Sequence, residues 1–218
     1  MISDTHGFHK DLIVPKADMV IHAGDFSNTK DPGINANEVR TFLEWYREIP
    51  IPIKALCAGN HDTSIEKGLI TVKDLSEGGI IYMQHAYREI DGIKIFASPF
   101  TPEFCDWAFN VRRDRLFQYW KDIPKGLDIL VTHGPPKGIL DIADKLSGEM
   151  EYCGDKALLN KVMEANPKVH QYGHIHNNGI HMNQGTREYQ GITFVNSSCV
   201  TDRKFSLGCT SQGVIINI

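Results

Sequence analysis

The sequence predicts an α/β fold with antiparallel strands mixed in, and three observations carry that reading. Short apolar runs recur and stop at Gly, Asn or His, as buried strands of a mostly parallel sheet do. Helical patterns fill the intervals between them. One Asp-Gly pair, Asp91-Gly92, separates two strand-like runs and reads as a tight hairpin turn.

In chain order, residues 19–23 and 53–58 are the first two strands. Between them Val39, Phe42, Leu43 and Tyr46 recur at helical spacing, predicting a helix from about residue 38 to 49 that stops before Pro50. Residues 86–90 and 93–97 flank the hairpin turn. Segment 99–122 carries Phe100, Phe104, Trp107, Phe109, Phe117, Tyr119 and Trp120 and fits no clean period. It is expected as a loop and helix over the core, with Trp107 or Phe109 available as one wall of a substrate pocket. Strands follow at 129–132 and 169–172. A helix from about residue 155 to 166 precedes the second of these, with Leu158, Leu159, Val162 and Met163 as its apolar stripe and Pro167 just beyond. Residues 193–196 and 214–218 again read as strand. No linker, repeat or low-complexity tract divides the chain, so one domain over residues 1–218 is expected.

Composition narrows the class. The chain has 218 residues, 41% hydrophobic and 23% charged, with 23 Lys+Arg against 27 Asp+Glu. Disorder, collagen-like repeats and disulfide miniproteins are excluded on those values. A net charge of −4 disfavours a basic nucleic-acid wrapper or a polybasic membrane binder. Five scattered cysteines without a C-x-x-C pair argue against a disulfide framework and a thiolate zinc site. No run reaches a membrane span and no signal peptide is legible, so a cytoplasmic protein without membrane contact is expected.

Side chains able to bind metal stand where the predicted strands end: Asp4-x-His6, Gly24-Asp25, Gly59-Asn60-His61-Asp62, His133-Gly134 and Gly173-His174-Ile175-His176. Ligand sites of α/β proteins form beyond the carboxyl ends of strands, so five such clusters can converge on one place. A lone histidine at a strand end is usually a satisfied structural residue. The ordered set, with carboxylates, one amide and histidines but no thiolate, is hard to explain by packing. Imidazole mixed with hard oxygen donors suits Mn²⁺, Fe or Zn²⁺ better than Mg²⁺ or Ca²⁺. Seven candidate donors with one bridging carboxylate fill two sites, and two ions about 3.5–4 Å apart clamp both oxygens of an in-line displacement at phosphorus. The residues point to phosphoester hydrolysis.

In this order the motifs resemble the calcineurin-like metallophosphoesterase superfamily over residues 4–176. His22-Ala23-Gly24-Asp25-Phe26, Ser98-Pro99-Phe100, Asp106-Trp107-Ala108-Phe109-Asn110, Thr132-His133-Gly134-Pro135-Pro136, Cys153-Gly154 and Asn196-Ser197-Ser198 are similar to its branch of metallophosphoesterase-domain-containing proteins. The resemblance implies a four-layer αββα sandwich with two mixed sheets and a dimetal site at the strand ends. It implies that Asp4, His6 and His176 hold the first metal, that Asp25 bridges, and that Asn60, His133 and His174 hold the second. Two divalent ions per chain are the implied cofactors, manganese first, with iron or zinc as alternatives. His61, left off the metals, is implied beside the phosphate, where it stabilises charge or protonates the leaving oxygen, and a metal-bridging hydroxide is the implied nucleophile. His61 and Asn60 are thus the expected catalytic residues, and Asn28, Trp107 and Phe109 the expected substrate contacts. Some animal members are expected to lack the first His of Gly-His-x-His; this chain keeps it as His174, so an active enzyme is expected.

Departures from the pattern bear on the substrate. The protein-phosphatase branch has an Asp three positions after the bridging carboxylate to orient the catalytic His; here that position is Asn28, followed by Thr29 and Lys30. An amide oxygen accepts the imidazole hydrogen bond without raising the histidine's pKa, so a weaker acid at His61 is expected. With Asp62 replacing a Glu, this argues against a phosphoserine phosphatase. Only Met1-Ile2-Ser3 precede Asp4, fewer than a mean strand of about 5–6 residues, so a short or cut-back first strand is expected. His22 and His170 read as core, His9 and His181 as candidates for the site entrance, and Arg112, Arg113 and Arg115 as a solvated face.

The leading reading is a metal-dependent phosphodiesterase of small substrates, cyclic nucleotides among them. A nuclease on single-stranded nucleic acid is the alternative enzyme, and long nucleic acid is disfavoured by the charge. A nucleotide-binding regulator with little turnover is the alternative from another class. Oligomeric state is not legible, and an exposed part of segment 100–120 is the candidate interface.

Overall fold

Period-two alternation along the strands sorts their side chains into three separate cores, and these define the layers. The structure is a computed structural model that describes residues 1–144, 149–178, 180–203 and 206–218. The first sheet contains β1 (Met19–His22), β2 (Ile53–Leu56) and β3 (Ile81–Tyr82), in that order. Helix α1 (Pro32–Glu48) joins β1 to β2, and two short helices, α2 (Thr63–Glu66) and α3 (Val72–Leu75), precede β3. The chain then makes β4 (Ala86–Ile90), β5 (Ile93–Ser98), a small parallel pair β6 (Thr101–Pro102) and β7 (Asn110–Val111), and α4 (Leu116–Trp120). After β8 (Ile129–Thr132) come the antiparallel pair β9 (Ile142–Asp144) and β10 (Met150–Tyr152), α5 (Lys156–Ala165) and β11 (Val169–Tyr172). β12 (Gly185–Tyr189), β13 (Ile192–Asn196) and the antiparallel pair β14 (Val200–Arg203) and β15 (Ser206–Cys209) complete the elements.

Six strands in the order β12-β13-β11-β8-β5-β4 form the second sheet. Its four inner strands are parallel and both edge strands antiparallel. The expectation of two mixed sheets holds for this one only. The smaller sheet is parallel at both its pairings among the described residues, because each of its strands returns through helices.

Val20 and Leu56 pack under Val39, Phe42, Leu43 and Tyr46 of α1. The alternate positions, Ile21 and Ala55, meet Ile95, Ala97, Ile129 and Val131 of the larger sheet. On the far side Phe96, Leu130, Tyr172 and Phe194 lie beneath Leu116 and Trp120 of α4 and Leu158 and Val162 of α5. The result is an αββα sandwich. Gln171 is buried between the sheets, where its Nε2 lies 3.1 Å from the carbonyls of Ile2 and Ile21 and 3.0 Å from Ser197 Oγ. This amide stitches the two sheets together beneath the site.

Helix α1 starts at Pro32, six residues before the predicted start, because the Asp31 carboxylate caps the N–H groups of Gly33 and Ile34 and Pro32 takes the first turn. Helix α5 is capped by Asp155 and ends with Asn166 in the left-handed region. At the hairpin, Asp91 and Gly92 both have positive φ (50° and 77°), as the tightest hairpin turns require. Residues 214–218 are not a strand. Val214 exchanges two hydrogen bonds with Met1 and the ladder goes no further. The leading segment pairs beside β1 through Ile2 and Asp4, and Ser3 accepts the N–H of Cys199, so bridges rather than a full strand hold it. No helix of the described residues is long and apolar enough to cross a membrane.

Candidate metal centre

β1 and β2 of one sheet and β8 and β11 of the other all end at the same edge of the sandwich, and the residues just past those ends form the site. Bringing them together demands unusual backbone. Asp4, His6, Asp25 and His174 all have positive φ, between 42° and 67°, a region that residues with a Cβ occupy rarely and mostly at functional sites. Two glycines allow the closest approaches. A Cβ on Gly59 would lie 2.3 Å from Asp25 Oδ1, and one on Gly173 would lie 1.9 Å from Asp4 Oδ2.

The donors fall into adjoining groups. Asp4, His6 and His176 offer atoms within 4.8 Å of one another, as do Asp25, His133 and His174, and as do His6, Asp25 and His61. Asp25 Oδ2 stands between, 3.2 Å from His133 Nε2 and 3.8 Å from His6 Nε2. Asn60 Oδ1 is 2.9 Å from the same His133 nitrogen. The structure thus gathers every residue expected to hold metal.

The chemistry of these contacts tests whether cations fit. His133 Nδ1 donates to the carbonyl of Ala23, so its Nε2 turns a lone pair toward two oxygens, Asp25 Oδ2 and Asn60 Oδ1. His6 Nδ1 donates to the carbonyl of Ser27, and its Nε2 then faces His176 Nε2 at 3.3 Å with Asp4 and Asp25 nearby. Lone pairs aimed at one another repel unless a cation lies between them, whether a proton or a metal. The residues present fit a pair of divalent ions.

Electrostatics agree. Burial opposes protonation of His133, but the charge and hydrogen bond of Asp25 push it up to about 9. Burial likewise opposes protonation of His176, which Asp202 and Asp4 raise to about 10. Burial lowers His6 to about 4, and burial with the charge of His133 lowers His174 to about 3. Asp4 and Asp25 are buried, which works against ionisation, yet the imidazoles around them hold both carboxyls below the ordinary carboxylate range.

A family model, calcineurin-like phosphoesterase, matches residues 1–178. The chain belongs to this family. It is 34% identical over 224 residues to the Homo sapiens protein named Metallophosphoesterase domain-containing protein 1, a match covering 92% of this chain and 65% of that protein. The chain therefore spans about 65% of that relative's length. Among solved structures, phosphopantetheinyl hydrolase from Mycobacterium tuberculosis aligns with a TM-score of 0.59 at 17% identity, covering 90% of this chain and 87% of that one. The protein TT1561 of Thermus thermophilus aligns with a TM-score of 0.56 at 15% identity over the same shares. At such identities the structural likeness concerns the fold. The family implies a dinuclear divalent centre, and the donor groups of this chain fit one.

Around the donors stands a second tier that sequence reading missed. Asp202 accepts from His176 Nδ1 at 3.1 Å, which orients the ring. Ser198 Oγ and the N–H of His174 both donate to the Asp4 carboxylate. Asp62 accepts the N–H groups of Asp25, Gly59 and Ser27 and the Ser27 hydroxyl, so it pins the Asp25 backbone. Burial and the neighbouring Asp25 charge push Asp62 up to about 7 against those donors. Asn-Ser-Ser and Asn-His-Asp were visible as motifs, whereas nothing in the sequence signals Asp202.

His61 donates its main-chain N–H to Asp25 Oδ1 at 2.7 Å and its Nδ1–H to Asn28 at 3.0 Å. The acceptor is the Asn28 carbonyl, and this corrects the expectation that its side-chain amide takes the bond. Glu38 binds the N–H groups of both Asn28 and Thr29, which sets the loop with that carbonyl toward the ring and leaves the side chain exposed. A residue-28 effect on His61 acidity through an amide therefore has no basis here.

Of the other expected substrate contacts, Trp107 lies against His61, and Phe109 is buried in the core beneath α1 and packs on Phe100. His9, a candidate for the entrance, is buried against Phe42 and Trp45, and burial lowers it to about 4. His181 is bound to Asp144 at 2.8 Å. His22 and His170 lie in the core, on Thr5 and Thr132 respectively.

Proposed function

We propose that this chain is a phosphodiesterase of small substrates, nucleotides and cyclic nucleotides among them, working with two divalent ions, manganese first. The carrying observation is the pair of lone-pair clusters sharing Asp25, with His61 at their edge. When bound, two divalent cations supply Lewis acidity toward water and toward the phosphoryl oxygens. Asp4, His6 and His176 would hold one; Asn60, His133 and His174 would hold the other; Asp25 lies between both groups. Asp4, His6, Asp25, Asn60 and His133 are buried, whereas His61, His174 and His176 are half-buried on the side open to water and substrate. His61 has Nδ1–H committed to the Asn28 carbonyl, so Nε2 is the atom that carries a proton to the leaving oxygen as its bond to phosphorus breaks. The oxygen of an incoming water forms the new bond to phosphorus while the leaving oxygen takes that proton and the broken bond's electron pair; the imidazole becomes neutral and the water's proton passes to solvent.

The test uses metal-stripped protein with Mn²⁺, Zn²⁺, Fe²⁺ and Mg²⁺ returned separately, assayed on bis-p-nitrophenyl phosphate, 2′,3′-cyclic AMP and a single-stranded oligonucleotide. Metal-stimulated turnover of the first two is expected, with a loss on the order of 10²-fold or more for His61→Gln. Turnover of the oligonucleotide alone would replace this reading with a nuclease. Tight AMP binding by calorimetry without any turnover would replace it with a nucleotide-binding regulator.

A further inference from the structure

Between β6 and β7 the chain makes a loop with three non-glycine residues at positive φ: Cys105 (52°), Asp106 (51°) and Phe109 (53°). Such backbone persists only where its surroundings over-determine it, and here they do. The Asn110 side chain takes the N–H groups of Phe104 and Trp107 on Oδ1 and donates from Nδ2 to Thr101 Oγ1 and the Ala108 carbonyl. Ala108 N–H donates to the carbonyl of the ligand Asn60, and Phe109 N–H donates to the Glu66 carboxylate at 2.7 Å. Lys30 bonds the Cys105 carbonyl at 2.9 Å, with its ammonium 5.3 Å from the Trp107 ring centre.

All of this delivers one ring. The Trp107 indole stacks on His61 with centroids 4.0 Å apart and planes 25° from parallel. The His6 ring meets His61 edge-on at 4.7 Å. An imidazole on a loop has two free torsions. The Asn28 carbonyl fixes one atom of the ring, and a stacked plane fixes its tilt. Without the plane the ring can turn about the line of its Nδ1 hydrogen bond, carrying Nε2 off target.

We propose that Trp107, held by Asn110 and its loop, is a positioning residue that sets the plane of His61 and so aims Nε2 at the leaving oxygen. This rests on the reading of His61 as the proton donor given above. The alternative for Trp107, a wall that binds substrate directly, puts its effect in KM. Positioning puts it in kcat, and most strongly where the leaving oxygen needs a proton. A phenolate or alkoxide leaving group should then suffer more than p-nitrophenolate.

The experiment compares Trp107→Leu, Trp107→Phe and Asn110→Ala with wild type in two readouts. In metal-stripped protein, proton NMR should place the His61 ring protons upfield through the Trp107 ring current. They should move downfield in Trp107→Leu and stay largely upfield in Trp107→Phe. In the metal-loaded enzyme, kcat on a phenyl phosphodiester should fall on the order of tenfold or more in Trp107→Leu and Asn110→Ala, with KM nearly unchanged. Trp107→Phe should keep most of it, and the p-nitrophenyl diester should lose less. Should Trp107→Leu not fold, the Phe and Asn110 variants carry the comparison. Unchanged His61 ring shifts, an equal fall on both diesters, or a raised KM with intact kcat would each overturn the proposal while leaving the phosphodiesterase reading in place. A wild type that shows the ring shift yet turns over no diester overturns the proton-donor role itself, and the proposal with it.

Discussion

The donors on the floor of the site and the aromatic wall beside them share one crevice but are held by different means. Floor residues extend from strand ends of both sheets, and Asp4, Asp25 and His133 are almost wholly buried, with main-chain carbonyls or second-tier side chains on the atoms that do not face the centre. The wall, His61 under Trp107, rides on loops held by side-chain and main-chain hydrogen bonds from Asn110, Glu66, Lys30 and Asn28, with a single stack setting the plane of the ring. The floor has no slack because like-charged oxygens and mutually facing lone pairs must be kept together even before a cation arrives. On the proposed reading the wall aims one atom of His61, so it needs direction more than rigidity.

The largest effect should come from removing what little space the floor has. Gly173→Ala would drive a methyl into the Asp4 carboxylate, displacing a donor of the first group. Metal content after dialysis should fall by about one ion per chain, and overpacking should cost on the order of 1–3 kcal/mol in a denaturant titration. Full metal content in this variant would show that the floor can yield as the wall can.

A smaller effect is expected one step out. Asp202→Asn keeps a hydrogen-bond acceptor for His176 and removes its charge. Affinity for one metal should weaken about 10–100-fold, read by competition with a chelator, while the other site is unchanged. Equal weakening of both would mean that the two donor groups are not separable.

A readout that takes in floor and core histidines together is the pH dependence of stability in metal-free protein. His6, His9, His22, His170 and His174 are lowered to between about 3 and 4, chiefly by burial. Below the ordinary value of 6.5 the unfolded chain takes up protons that these folded sites refuse, so stability falls as pH falls from 6.5 toward 4. Asp62, raised to about 7, binds its proton in the fold and offsets one of them. His133 and His176 run the other way, at about 9 and 10. Their contribution is complete below 6.5 and is lost as pH rises through those values. Urea midpoints measured from about pH 5 to 8 should therefore peak near 6.5. A bound metal should flatten the alkaline limb, because it replaces the protons on His133 and His176.

Much of this was legible from local pattern. The strands 129–132 and 169–172 match β8 and β11, and the Asp-Gly hairpin and the helix after Asp155 appear where turn and capping chemistry put them. The start of α1 is equally legible in Asp31-Pro32, a capping signal that lies N-terminal to the apolar stripe. Residues 214–218 read as strand from an apolar run, but a run without a partner makes no ladder. Phe109 and His9 were legible only as an aromatic and a histidine near motifs; packing alone puts them under α1 and against Phe42.

By itself the sequence determined the donor types, their order and the strand ends that carry them, because each of those is a matter of residues near one another in the chain. The tertiary structure decided which donors share a cluster, since His6 meets His176 across 170 residues and Asp25 meets His133 only when two sheets stack. It also decided that a carbonyl, not the Asn28 amide, holds His61, that Asp202 backs His176, and that Trp107 stacks on the His61 ring. Such choices turn on the direction of a few bonds at the end of a folded loop. Periodicity and spacing do not encode that direction; packing across the whole sandwich does.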